Sequence, residues 1–339
     1  MKKSLLLFVY GLLTLAFLLF LWQYGIRNSG EDGLGEPSDG LVGDVEEQYV
    51  MVTFQSNIDY WRPVMKGFED AAAKLNVAVD FRGATQYDPI EQITVLEQVI
   101  ARKPAGIAVT AIDPEKLNEA IGKAAKAGIP LVLFDSGAEG SGAQSFVGTD
   151  NYRAGAVAAR ELASRLSGQG TVAVITQPNQ LNHRQRTEGF QDTIAKEFSG
   201  LRIVEVADGK GTIDASRQAA EDIVARHPEL DGFFATQANG GVGIGQAMKK
   251  LKLPSRKIVI GFDTDKGTLD MVKDGTIDAT LAQGTWNMGY WSLLGLFHLR
   301  HGIVQPSSEE KGGVHPLPPF IDTGITIVTR DNVELFYAR

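Results

Sequence analysis

Between Tyr49 and Asp263 the chain alternates short, almost unbroken apolar runs with longer amphipathic stretches. "YVMVTF", "VAVDFRG", "GIAVTAI" and "PLVLFDS" read as strands. "RPVMKGFEDAAAKL", "DPIEQITVLEQVIAR" and "DPEKLNEAIGKAAKAG" read as the helices between them. A strand with no polar side must be covered on both faces, so runs of this kind belong to a parallel sheet sandwiched by helices. After "FVGTDN" the alternation restarts with "AGAVAARELASRL" and "TVAVIT" and continues to "KIVIGFD". The expected fold class is therefore α/β, with two successive doubly wound parallel-sheet halves of similar size. Local signals agree. Asp88-Pro89 and Asp113-Pro114 read as N-cap and N1 pairs, and Glu91 at N3 predicts a capping box with Asp88. Gly128 suits the position after a helix C-cap, ahead of Pro130.

The N-terminal segment is of another kind. Two lysines precede an apolar run from Leu5 to Trp22, with Trp22 and Tyr24 where interfacial aromatics sit. About 18 apolar residues suffice to span a bilayer. Residues 1–27 are expected to be an N-terminal transmembrane helix with the body outside, or else a long signal peptide that is cleaved. Either way the body is exported, to the extracytoplasmic face of the cell membrane or to the periplasm. Residues 28–47, rich in Gly and acidic side chains, read as a flexible acidic linker.

Composition excludes several functions. A net charge of −8 with no basic stripe argues against nucleic acid. The absence of cysteine removes disulfides, thiolate nucleophiles, Cys-based metal sites and the acceptor for a lipoprotein anchor. "NGGVGIGQ" is neither a dinucleotide fingerprint nor a phosphate loop. "DTDKGTLDMVKD" opens like a calcium loop, but Gly267 replaces an acidic ligand and Asp274 stands where a bidentate Glu belongs. His298 and His301 lack a third metal ligand nearby. No nucleophile–base pair is suggested, so no enzymatic activity, metal or cofactor is expected.

In doubly wound sheets ligands bind at the carboxyl ends of the strands. Reading those ends in order gives Asn57, Tyr60 and Trp61, then Asp135, Arg186, Gln237, Asp263 and Gln283, with Trp286 just beyond. Carboxylates and amides bond vicinal hydroxyls, a guanidinium donates a fork, and flat rings cover C–H faces. Such a set suits a polyhydroxylated ligand in a cleft between the halves. Tyr60 and Trp61 are adjacent and cannot share one helix face, so one ring is expected to face the ligand and the other to pack beneath it.

From Gln48 onward the chain resembles the periplasmic sugar-binding proteins of the ribose/galactose type, the solute receptors of ABC transporters. The resemblance is carried by "DYWRPVMKGFEDAA", "GIAVTAIDP", "AGIPLVLFDS", "VGTDN", "RTEGF", "IVIGFD" and "DATLAQ", in the family's order. It implies a type I periplasmic binding protein fold in which the same eight residues line a monosaccharide site. It also implies a hinge of three chain crossings, near Gly148–Asn151, Gln283–Thr285 and Pro319–Asp322. The N-terminal domain would then comprise residues 48–149 and about 285–318, and the C-terminal domain residues 150–284 and about 319–339. The implied partner is an ABC permease, with a membrane histidine kinase or chemoreceptor as the alternative output, and the implied state is a monomer. Two departures bear on the sugar. Ser136 follows Asp135 where ribose-type members often carry Arg, so one hydroxyl contact is lost or is supplied by another group such as Arg184, and Gln237 replaces a shorter Asn or Asp.

Overall fold

The computed structural model describes residues 14–17, 41–253, 255–303 and 317–337. The chain divides into two units, Met1–Gly43 and Asp44–Arg339, and the sheets lie in the second. The expected membrane segment falls outside the described residues apart from 14–17, which are helical, and so does the linker up to residue 40. Among the described residues no helix is long and apolar enough to cross a membrane.

Twelve strands among the described residues form two six-stranded sheets. The first contains β1 (Gln48–Thr53), β2 (Ala78–Gly83), β3 (Gly106–Val109), β4 (Leu131–Phe134), β5 (Phe146–Gly148) and β11 (Phe320–Asp322), in the order β2-β1-β3-β4-β5-β11. The second contains β6 (Gln169–Thr176), β7 (Gly200–Asp208), β8 (Gly232–Ala235), β9 (Ile258–Phe262), β10 (Ala279–Gln283) and β12 (Ile325–Val328), in the order β7-β6-β8-β9-β10-β12. The two orders are equivalent strand for strand. Every pairing is parallel except that of β12 with β10. The inner strands β3, β4 and β8 are buried at every residue, which is why they carry no polar alternation.

The helices are α1 (Trp61–Leu75), α2 (Pro89–Ala101), α3 (Pro114–Lys126), α4 (Asn151–Arg165), α5 (Leu181–Glu197), α6 (Ile213–Arg226), α7 (Ala238–Leu251), α8 (Lys266–Asp274) and α9 (Thr285–Arg300). Asp88 and Asp113 cap α2 and α3 with proline following, and Gly128 takes the left-handed conformation after α3, as expected. The capping box is not reciprocal. Glu91 accepts from the Thr85 N–H and hydroxyl and from the Gln86 N–H rather than from Asp88. Three donors of the preceding loop outcompete the single one at the cap, and the loop is tied to the helix instead.

The chain passes between the sheets three times among the described residues. After β5 it enters α4, which packs on α5 and the second sheet; after β10 it enters α9, which packs on α1 and the first sheet. The third passage lies between β11 and β12, at Thr323–Gly324. This corrects the expected boundary after residue 318, because β11 is still paired with β5. A backbone bond from the Thr323 N–H to the Gly148 carbonyl (2.8 Å) and one from the Gly284 N–H to the Gly324 carbonyl (3.3 Å) set the three crossings side by side.

Each half contains one very close helix crossing. A Cβ on Gly155 of α4 would lie 2.0 Å from the Arg186 carbonyl oxygen, and one on Gly189 of α5 would lie 2.0 Å from that of Tyr152. In the first half Gly67 and Gly289 oppose Trp286 and Val64 in the same way, at 2.0 and 1.9 Å. Only glycine permits such an approach, and it fixes where α1 and α5 begin relative to the strand ends. Gly155→Ala is expected to force α4 and α5 apart and to destabilise the protein by about 3 kcal/mol, the upper range for overpacking. Gly122→Ala, whose Cβ meets nothing within 4 Å, is expected to be neutral or slightly stabilising. Urea unfolding midpoints of the two variants check this contrast.

Candidate functional site

The carboxyl ends of the two sheets open onto one cavity of about 450 Å³. All eight residues singled out in the sequence line it: Asn57, Tyr60, Trp61, Asp135, Arg186, Gln237, Asp263 and Gln283. Asp135 ends β4 and Asp263 ends β9, equivalent positions in the two sheets. Both take the left-handed conformation, with φ of 58° and 68°. Non-glycine residues rarely adopt it, Asp less rarely than most, and such positions concentrate at functional sites. The strand therefore ends in a sharp turn, with each carboxylate on the cavity wall.

Arg186 links the halves of the cluster. It is only 1% exposed, and each guanidinium nitrogen makes one hydrogen bond, which uses three of its five N–H donors. Nε donates to Asn151 Oδ1 (2.9 Å), Nη1 to the Thr236 carbonyl (2.8 Å) and Nη2 to Gln283 Oε1 (3.0 Å), while its plane lies 3.8 Å from the Phe262 ring centre. None of these partners carries charge, so the neutralising charge comes from Asp263 and Asp135 nearby. Gln283 uses its amide fully. Oε1 also accepts from the Thr149 hydroxyl (2.8 Å), and Nε2 donates to Asp263 Oδ1 (2.7 Å) and to the Tyr60 hydroxyl (3.0 Å). The Tyr60 hydroxyl in turn donates to Asp135 Oδ1 (2.5 Å), which completes a chain from one half to the other.

Burial dominates the ionisation of this cluster. Desolvation raises the Asp135 carboxyl above its usual range, against hydrogen bonds from Tyr60 and Thr110 and the charge of Arg186. It raises Asp263 to about 6, against Arg186 and Gln283. The Tyr60 phenol is pushed well above 10 by burial and then by the two carboxylates, so it stays a donor. His183, behind Arg186, is held neutral by burial and by the adjacent guanidinium. Its Nδ1 lies 3.2 Å from the Thr236 carbonyl and 3.1 Å from the Thr236 hydroxyl.

Not every expected residue faces the cavity in the same way. Trp61 is 1% exposed, its indole N–H bonds the Phe54 carbonyl (2.8 Å), and its ring meets Phe54, Tyr60 and Phe134 edge-on. It is the floor beneath Tyr60. Gln237 spends Oε1 on capping α7 at the Asn239 N–H (3.1 Å), and its Nε2 is buried without a partner. Trp286 is not part of the lining. It stacks on Tyr290 at the surface, with its N–H on Asp70. Ser136 is buried away from the cavity, and Arg184 bonds the Pro178 carbonyl outside it, so neither supplies the contact considered for them. The lining also includes Tyr87, Gln177, Gln180, Asn182, His183, Asn239 and Asp265, none of which the strand-end reading found. Most belong to the segment entering α5, where only an excess of amides in "TQPNQLNH" sets the sequence apart.

The raised Asp263 fixes a direction with pH. The folded protein holds this proton more tightly than the unfolded chain, whose carboxyl is near 3.8. The stability it contributes is complete below about pH 4 and is lost as pH rises through about 6. Asp135 adds in the same sense. Asp263→Asn is expected to flatten this part of the profile, relative to the parent protein, in a series of melts from pH 4 to 8.

The periplasmic binding protein domain family matches residues 49–299. Among solved structures, a sugar-binding protein of a sugar ABC transporter from Bacillus halodurans is 57% identical. It superposes with a TM-score of 0.82 over 86% of this chain and 100% of that one. AraP, an arabinose-binding protein from Geobacillus stearothermophilus, is 58% identical with a TM-score of 0.78, over 86% and 99%. A xylose/arabinose-binding protein of Sulfolobus acidocaldarius is 23% identical over 331 residues, 91% of this chain and 78% of that protein. With over half its length matched and with this two-sheet architecture, the chain belongs to the periplasmic binding protein domain family.

Proposed function

We propose that this is an extracytoplasmic receptor that closes over a single sugar and presents it to an ABC transporter. One observation carries the reading. Two carboxylates from equivalent strand ends and one buried guanidinium converge on a single cavity, joined through Gln283 and Tyr60. A carboxylate accepts from two hydroxyls and an arginine donates to two, so vicinal diols at several positions are satisfied together. Tyr60 supplies the aromatic surface, with Trp61 beneath it. Asn57 and Gln237 add neutral donors and acceptors at the edges. Arabinose is the first sugar to test, because a solved relative 58% identical over most of the chain is an arabinose-binding protein. The binding role needs no nucleophile.

The three adjacent crossings make a hinge. Contacts from both halves to one ligand exist together only when the halves are closed, so a sugar that bonds both shifts the population toward closure. The N-terminal segment would hold the receptor at the membrane, with the acidic linker as its tether.

Titration calorimetry of the full chain against arabinose, xylose, ribose and allose tests the reading, and binding of one of them is the expected result. Asp135→Ala or Arg186→Ala is expected to weaken it by about thirtyfold or more, since each leaves charged or polar partners unpaired at about 2–4 kcal/mol. No binding of any sugar would refute the proposal. Small-angle scattering is expected to show a smaller radius of gyration with the sugar than without it. Unchanged uptake in cells lacking the cognate permease would shift the output from transport to sensing.

A further inference from the structure

Three residues of the cavity lining each carry a buried side-chain atom with no hydrogen-bond partner: Gln180 at Nε2, Gln237 at Nε2 and Tyr87 at its hydroxyl. Leaving a buried donor unpaired costs about 1–3 kcal/mol, so each needs a reason. Gln237 already belongs to the sugar cluster argued above. Gln180 and Tyr87 do not, and neither makes a hydrogen bond to Asp135, Arg186, Asp263 or Gln283 among the described residues.

Gln180 stands at the N-cap of α5, where a side chain ordinarily turns back to bond the first free N–H groups. It makes no such bond, although it is only 3% exposed. Its backbone is fixed on both sides, with its N–H on the Gln177 carbonyl and its own carbonyl accepting from Arg184. The side chain is thus buried, belongs to a residue of the cavity lining, and leaves its amide N–H₂ without a hydrogen bond in the fold. Tyr87 comes from the other half. Its loop is tied to α2 by Glu91, which gathers the Thr85 and Gln86 donors immediately before it. Its ring meets Phe54 edge-on at 5.8 Å. Gln177 lies alongside its hydroxyl without reaching hydrogen-bond geometry. Burial raises the phenol to about 12, which leaves it protonated and able to donate.

Resting on the sugar-binding reading, we propose that Gln180 and Tyr87 are a second bracket for the ligand, one from each half, and that they determine its specificity by donating to its oxygens. An amide N–H₂ can only donate, so the ligand atom at Gln180 must offer a lone pair: a hydroxyl or a ring oxygen. Its deoxy counterpart leaves the donor unpaired. An amino sugar protonated there has no lone pair to give. Both are rejected, by the same asymmetry that makes polar sites discriminate more sharply than apolar ones. The carboxylates accept from the ligand and this bracket donates to it, so one sugar is oriented by both.

The test uses the full chain, the tightest binder among arabinose, xylose, ribose and allose, and that sugar's monodeoxy analogues. Gln180→Met keeps the length of the side chain without its donor, and Tyr87→Phe removes only the hydroxyl. Each is expected to weaken the parent sugar about tenfold in calorimetry, the value of one hydrogen bond in a closed site. The ligand-free melting temperature is expected to hold or rise, since no partner is lost. For one monodeoxy analogue, the unmodified chain and Gln180→Met are expected to bind alike. Unchanged affinity for the parent sugar in both variants would overturn the proposal and leave the sugar reading intact. So would a lower ligand-free melting temperature with affinity retained, which would make these residues part of the fold. If the unmodified chain binds none of the four sugars, the underlying reading falls as well.

Discussion

A guanidinium sealed from water sets the terms for everything around it. Arg186 is bonded to an amide, a carbonyl and a second amide, and it lies over Phe262, so each of its nitrogens is held by a neutral group. None of them neutralises its charge. Burying an unpaired cation is prohibitive, and truncating one member of a buried pair leaves the other exposed to the full desolvation cost. Asp135 and Asp263 must therefore stay close, one from each half, and the strand ends that carry them must meet at one place. Their raised protonation ranges show that the three charges do not fully compensate one another. A hydroxyl donating to either carboxylate would supply what the protein itself does not.

The close glycine crossings make that convergence possible. Gly155 and Gly189 let α4 and α5 touch backbone to backbone at Arg186 itself, so the guanidinium starts from a fixed Cα. Gly67 and Gly289 do the same for α1 and α9 in the other half. Both partners of each close packing lie in one half, α4 and α5 in the second and α1 and α9 in the first. The chain enters α4 from β5 of the first sheet and α9 from β10 of the second. The helix that fixes the site in each half is thus also the one that leads away from a crossing. Thr149, at the first crossing, bonds Gln283 at the end of β10, and Gln283 bonds Arg186, Asp263 and Tyr60. The crossings and the site thus share Gln283, and Thr149 at the first crossing bonds it.

The sequence showed the parts of this arrangement that follow from topology. Asp135 and Asp263 were legible because an unbroken apolar strand has an unambiguous end, and the doubly wound rule says what lies there. That both adopt positive φ was not legible, since Asp tolerates either conformation. The third crossing falls just past the expected Pro319–Asp322, because "FID" is too short to declare its sheet and only pairing with β5 decides it. Glu91 was expected to cap its own helix, but the alternative donors lie in a loop whose path depends on the tertiary fold. Gln180, Tyr87 and His183 escaped because they lie in loops and helix starts rather than at strand ends. A glutamine at an N-cap looks like any other until its failure to cap is seen.

The ligand-free protein carries several costs at once. Two carboxylates are desolvated, two aspartates hold left-handed backbone, and the amides of Gln180 and Gln237 are buried without partners. A chain selected for stability alone would replace these groups, and proteins commonly concede stability where binding requires it. The distribution of the costs is informative. Asp135 and Tyr87 come from the first half, and Asp263, Gln180 and Gln237 from the second. A ligand that relieves only one side recovers part of the deficit, whereas one that reaches both recovers all of it. Under the proposed reading, affinity and closure are then one free energy rather than two. A sugar lacking the matching oxygen fails to bind tightly because it cannot hold the halves together.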